Sequence, residues 1–169
     1  ELIKGYQEKS FSPLEVAEEI IKKINSQNEK LNAFVYFDEE YVLQQAASSN
    51  VKYYNNQARG YLEGIPISIK DLIVTNNMPT NRGSLTSSLP AHSDFDAPVV
   101  KKLKEKGAII LGKTASPEFG HKGTTQSLKH GTTNNPWNIS LNTGGSSGGS
   151  CAAVAAGLGP ASIGTDGGG

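Results

Sequence analysis

Hydrophobic positions recur at helical spacing near the start of the chain. Leu14, Ala17, Ile20, Ile21 and Ile24 share one face, while Glu18, Glu19, Lys22 and Lys23 take the other. Ser12-Pro13-Leu14-Glu15 opens this helix: Ser caps, Pro occupies the first helical position, and Glu15 can reach back to the cap amide. A second helix of weaker periodicity, followed by an irregular link, is expected within residues 36–57. The period then changes to two. Ile65, Ile67 and Ile69 point one way and Pro66, Ser68 and Lys70 the other, which predicts a strand with Pro66 at a sheet edge or at the strand's beginning. Asp96 is placed to cap a helix carrying Val99, Val100 and Leu103 and closed by Lys104, Lys106 and Gly107. The apolar run Ala108-Ile109-Ile110-Leu111 follows at once, as expected of a strand buried on both faces. Strand, helix and strand in that order predict a parallel α/β sheet.

Residues 114–149 break the pattern, being rich in Gly, Ser, Thr, Asn and Pro without regular period; so long an irregular stretch inside a domain is more often functional than idle. Residues 150–157 form a small-residue run suited to a tightly packed helix. More than half of the 19 glycines fall between Gly144 and Gly169. Such density marks either a loose tail or backbone that must come very close to something.

Composition narrows the function classes. At 169 residues the chain is long enough for one domain with a real core. Lys plus Arg and Asp plus Glu number 16 each, so the basic footprint of a nucleic-acid binder is missing. The single cysteine, Cys151, excludes a disulfide framework within the chain and fits a reducing, cytoplasmic setting. No export signal is recognisable, and no run approaches the length of a membrane span. His92, His121 and His130 have no metal-ligand spacing with Cys or acidic residues, so no metal or other cofactor is expected.

Three segments carry candidate chemistry: Lys70 at a strand end, Gly144-Gly145-Ser146-Ser147-Gly148-Gly149-Ser150, and Thr165-Asp166-Gly167-Gly168-Gly169. Taken alone, each is ambiguous. The Gly/Ser loop could cradle a phosphate on its amides, although the Gly-Lys-Ser/Thr of a P-loop is absent, or it could be a flexible linker.

Their order is more informative. Gly64-Ile-Pro-Ile-Ser-Ile-Lys-Asp71 is followed by Gly83-Ser84, Gly112-Lys-Thr-Ala-Ser-Pro-Glu-Phe-Gly120 and Asn135-Pro-Trp-Asn138. Then come Gly144-Gly-Ser-Ser-Gly-Gly-Ser-Cys-Ala-Ala-Val-Ala-Ala-Gly157 and Gly164-Thr-Asp-Gly-Gly-Gly169. This series resembles the amidase signature family over nearly the whole chain, including the Ser12 helix and Leu31-Asn-Ala-Phe34. The resemblance implies an α/β fold, a mixed sheet wrapped by helices. Residues 1–169 would form the N-terminal part of a single domain whose sheet is completed by later residues.

It also implies a Ser–cis-Ser–Lys triad. Lys70 matches the family's lysine, and Ser146 matches the bridging serine, whose preceding peptide bond is cis. The nucleophilic serine is expected just after Gly169. The amides of Gly167, Gly168 and Gly169 match the oxyanion-hole segment. Such chemistry is physically coherent. A serine hydroxyl attacking an amide carbonyl needs a base, and a neutral lysine can serve if burial lowers its pKa; bringing it from about 10.4 to ~7 takes about 4–5 kcal/mol. Ser146 would relay the proton and later deliver it to the leaving amine. Amides without side chains can approach a developing oxyanion, each donor being worth about 2.7–4 kcal/mol.

Other residues receive plainer expectations. Ser147 either bridges in place of Ser146 or supports it. Asp166 orients its loop or pairs with a cation from later residues, Ser150 caps a helix, Cys151 packs, and His121 and Lys122 border the substrate pocket. The expected partner is a small-molecule amide; a homodimer is compatible, while nucleic acid and membrane are not expected. A tRNA-dependent amidotransferase of the kind that passes ammonia to a partner protein, represented by its A-type chain, is the first rival, though Ser116-Pro-Glu-Phe-Gly120 favours a stand-alone amidase. A non-catalytic anion- or nucleotide-binding module is the second.

Overall fold

The computed structural model describes residues 1–58, 60–87 and 93–168. A short helix α1 (Leu2–Gln7), not signalled by the hydrophobic pattern, precedes α2 (Pro13–Leu31). The capping box of α2 is formed: Glu15 N donates to Ser12 Oγ at 3.1 Å, and Ser12 N donates to Glu15 Oε2 at 2.8 Å. Helix α3 (Glu39–Tyr54) supplies the second helix expected within residues 36–57, and the strand β1 (Phe34–Phe37) ahead of it was not expected; Asp38 accepts from Tyr41 N as the α3 cap.

Strands β2 (Pro66–Lys70) and β3 (Ile109–Thr114) are joined by helix α4 (Pro98–Glu105) and pair in parallel. Helix α4 has Ala97 at its N-cap and no side-chain cap. Asp96, one residue too early, instead accepts from Asn76 N at 2.7 Å and Lys104 Nζ at 2.9 Å. A single turn of 3₁₀ helix (Glu118–Gly120) and two small hairpins follow, β4 (Gln126–Ser127) with β5 (Gly131–Thr132) and β6 (Asn134–Asn135) with β7 (Asn138–Asn142). Helix α5 (Gly148–Ala155) and strand β8 (Ala161–Ile163) complete the chain.

The main sheet has the order β1-β3-β2-β8, with β1 antiparallel and the rest parallel. It is therefore a mixed sheet in an α/β fold, and β2 is an interior strand. Pro66 escapes the conflict between proline and an interior position by opening the strand. Strand β3 is buried along its whole length, as its apolar run requires. Ile109 and Leu111 pack with α2, α3 and the Ala152-Ala153 face of α5, while Ile110 packs on the other side with Ile67, Ile69, Met78 and Val100.

A register shift separates the pairs Ile67↔Ile110 and Ile69↔Lys113, so β3 holds one extra residue there. An inserted residue reverses which face the following side chains take. Lys113 thus turns to the Ile69–Met78 face, and Thr114 turns with Lys70 toward α5, where its hydroxyl meets Ser150 Oγ at 2.6 Å.

Helix α5 lies against β3 closely enough that Gly149 N donates to Ala115 O at 3.1 Å. A Cβ at Gly149 would overlap the Ala115 amide and lie 2.6 Å from Ala115 O and 2.7 Å from Ala33 O, all backbone atoms that cannot swing aside. Gly149→Ala should therefore destabilise the fold by about 1–3 kcal/mol. The check is thermal unfolding by circular dichroism, with Gly123→Ala as control, since nothing lies within 4 Å of that Cβ position.

Candidate functional site

Lys70 is the last residue of β2, and its side chain has no solvent-exposed surface (0 %). Burying an ammonium is unfavourable unless its donors find acceptors. Here Nζ donates to Ser146 Oγ at 2.7 Å, Ser147 Oγ at 2.9 Å, Thr165 Oγ1 at 2.8 Å and, more weakly, Thr165 O at 3.4 Å. Ser147 is itself clamped, its hydroxyl donating to Thr165 O at 2.9 Å and accepting from Thr165 N at 3.1 Å. Two elements deliver these groups: the turn that leads into α5, and the segment after β8, which runs parallel beside β2 with Ile69 opposite Ile163.

The peptide bond between Gly145 and Ser146 is cis. The loop around it is tightly held. Gly148 N donates to Thr125 Oγ1 at 3.0 Å, Thr125 Oγ1 donates to Gly144 O at 2.9 Å, and Gly149 N is bonded to Ala115 O. It is not a flexible linker, and two of the amides a phosphate cradle would use are already engaged. Ser147, not Ser150, is the residue preceding the helix; Ser150 lies buried within it.

Burial lowers the Lys70 pKa below its ordinary value, against the opposing pull of the Asp166 carboxylate and, secondarily, Cys151. The site opens into a cavity of about 610 Å³ lined by Gly144–Gly148, Cys151 and Gly164–Asp166. Cys151 was expected to pack, yet it is exposed at this cavity because the packed face of α5 is taken by Gly148, Gly149, Ala152 and Ala153.

Of the residues expected from the sequence, the fold brings together Lys70, Ser146, Ser147 and Asp166. Gly167 and Gly168 continue outward from Asp166 with nothing within 4 Å of their Cβ positions, and Gly168 N donates to Asp166 Oδ1 at 2.9 Å. In this arrangement that amide serves the carboxylate. Gly169 and His92 lie outside the described residues. His121 and Lys122 line a different cavity, of about 530 Å³, with Glu118, Phe119 and Leu128. The backbone nevertheless brings this segment close to the serines, since a Cβ on Gly145 would meet Lys122 O at 2.9 Å. Among the described residues no His/Cys/Asp/Glu group could hold a metal ion, and no helix is long and apolar enough to cross a membrane.

Thr165 is a site residue that the sequence does not signal. It carries no charge, and nothing in its spacing signals that its hydroxyl, amide and carbonyl all face the Lys70–Ser147 pair. Nor does the sequence signal that Lys113 is fully buried; burial pushes its pKa down to about 8, against the attraction of Asp71.

Residues 15–169 match the family model described as Amidase. A glutamyl-tRNA(Gln) amidotransferase chain of the A type, from Alkaliphilus metalliredigens, is 41% identical over 168 residues, covering 98% of this chain and 34% of the relative. An acylamidase from Rhodococcus erythropolis is 39% identical over 160 residues, covering 95% of this chain and 33% of the relative. Among solved structures, a chain of a vestigial protein complex connected with the origins of an s-triazine catabolic enzyme superposes with a TM-score of 0.93. It is 33% identical, and the match covers 98% of this chain and 36% of that one. The chain spans about a third of the length of the curated relatives it matches. With a match across almost its whole length, and with neighbours that share its mixed sheet, the chain belongs to the amidase signature family.

Proposed function

We propose that this chain supplies the general base and the proton relay of an amide hydrolase working through a Ser–cis-Ser–Lys triad. The observation that carries the reading is the 2.7 Å hydrogen bond between Lys70 Nζ and Ser146 Oγ, made by a lysine with no exposed surface. In the neutral state, Lys70 accepts the proton of the Ser146 hydroxyl while Ser146 takes that of the nucleophilic serine, which the family motif puts directly after Gly169. The nucleophile's oxygen bonds to the amide carbon, and the carbonyl electrons move onto oxygen. Collapse then breaks the C–N bond, and the proton returns through Ser146 to the departing amine. Water later cleaves the acyl-enzyme by the same route. Ser147 and Thr165 hold the lysine in place, while Gly167, Gly168 and Gly169 are the proposed oxyanion donors. Gly168 can serve only when its amide leaves Asp166.

Acylamidase and peptide amidase are among the activities that relatives and structural neighbours carry, and they support a small-molecule or peptide amide as the substrate class. A second reading has its own support: the glutamyl-tRNA(Gln) amidotransferase relative matches this chain as well as the acylamidase does. Glutamine hydrolysis that depends on added partner proteins, with no turnover of aliphatic, aryl or peptide amides by the full-length protein alone, would decide for that reading.

In the full-length protein, Lys70→Ala and Ser146→Ala should each lower kcat/KM by roughly 10³-fold or more while the thermal transition stays cooperative. Near wild-type turnover in Lys70→Ala would remove the base from the mechanism.

The pH profile provides an independent check. Because burial depresses the Lys70 pKa below 10.5, the neutral, proton-accepting fraction grows as pH rises through that lowered value, and kcat/KM should climb with it. Asp166 favours the ammonium, so Asp166→Asn should move this acid limb to lower pH. An unmoved limb would mean that another group titrates there.

A further inference from the structure

On the sheet face opposite Lys70 lies a second buried lysine that the proposed chemistry leaves unused. Lys113 and Asp71 are both completely buried, and Asp71 directly follows Lys70. Lys113 Nζ donates to Ile73 O at 2.6 Å and Thr80 Oγ1 at 2.9 Å, gripping residues 71–83 at two points. Asp71 grips the same segment from within. Its Oδ1 accepts from Asn81 N at 3.1 Å, its Oδ2 from Gly83 N at 3.2 Å, and its carbonyl from Arg82 N at 3.3 Å.

This segment in turn holds the loop of residues 116–120, whose Gly120 end lies beside Ser146. Phe119 N donates to Arg82 O at 2.8 Å, and Ser84 Oγ donates to Glu118 Oε1 at 2.6 Å. Gly83 lies so near the loop that a Cβ there would come within 2.6 Å of Ser116 O. At the far end, the Gly120 Cβ position is 3.6 Å from Ser146 Oγ and 2.7 Å from Leu72 Cδ1. A continuous path thus leads from Lys113 through residues 71–84 and 116–120 to the hydroxyl that bonds Lys70.

We propose that Lys113 and Asp71 act as a pair of positioning residues: a charge clamp behind the sheet that fixes the 116–120 loop, with Gly120 at its end, against Ser146 and the direction in which the chain leaves Lys70. This inference rests on the amide-hydrolase reading. The charges make sense in that role. Each attracts the other and offsets part of the other's desolvation. A buried pair is costly compared with apolar packing, whereas its hydrogen bonds impose one loop geometry that apolar contact would not.

The test uses the full-length protein and a fluorophosphonate probe, whose reaction with an activated serine gives a maximal rate and a binding constant separately. Lys113→Met and the milder Thr80→Val, which removes only one Lys113 acceptor, are compared with wild type and Lys70→Ala, together with amide hydrogen exchange.

In Lys113→Met the maximal phosphonylation rate should fall roughly 10- to 100-fold with the probe's binding constant little changed. Exchange should quicken at the amides of Asn81, Gly83 and Phe119. Thr80→Val should move both readouts the same way by a smaller factor, and it decides the matter if Lys113→Met does not fold. An unchanged rate in Thr80→Val and in any folded Lys113→Met would overturn the clamp, as would faster loop exchange without loss of rate. If wild type is not labelled, or Lys70→Ala is labelled at the wild-type rate, the amide-hydrolase reading fails instead.

Discussion

A buried ammonium that is hydrogen-bonded to hydroxyls rather than to a carboxylate governs the arrangement of this molecule. Lys70 has no exposed surface, and its partners are the hydroxyls of Ser146, Ser147 and Thr165. A carboxylate in contact would stabilise the charged form and raise the pKa. Neutral oxygens satisfy the donors while favouring the charge far less, and burial is left as the largest influence on the proton. Asp166 acts from beyond direct contact as a moderating charge. The balance suits a group that must both release and accept a proton in one cycle.

Holding that arrangement requires three segments distant in sequence to meet at one strand end. Parallel pairing of β2 with β8 sets Ile69 beside Ile163 and so brings Thr165 alongside Lys70. The tight seat of α5 on β3, possible only without a side chain at Gly149, sets the serine pair over the same point. Ligand sites in α/β sheets gather beyond the carboxyl ends of the strands, and both β2 and β8 end here. The glycine-dense turn into α5 is therefore ordered, Gly145 and Gly149 permitting backbone contact with backbone. The extra residue in β3 sends the two neighbouring lysines to opposite faces, one to the serines and one to the loop behind them.

Much of this was legible in the chain. The capping box at Ser12, the alternating Ile65–Ile69 strand and the doubly buried Ile109–Leu111 run reflect local rules, and each element stands where its period indicates. Where the reading failed, tertiary context competed with a local signal. Asp96 has the chemistry of a helix cap but is engaged by Asn76 and Lys104. Ser150 resembles a cap yet is buried inside α5, because the helix starts two residues earlier. Cys151 faces the cavity because glycine and alanine occupy the packed face. Strands β1 and β8, only 4 and 3 residues long, are too short for periodicity to mark, and they owe their existence to pairing with β3 and β2.

By itself, the order of motifs along the chain determined the family and nominated Lys70, Ser146, Ser147 and Asp166, since residue type and sequence spacing are properties of the chain alone. Only the tertiary structure decided that Thr165 completes the lysine's coordination, that Lys113 is buried rather than solvated, and that His121 and Lys122 line a neighbouring cavity. Those outcomes depend on strand register, on one inserted residue and on which backbones can touch. Such quantities exist only once distant segments have been brought together.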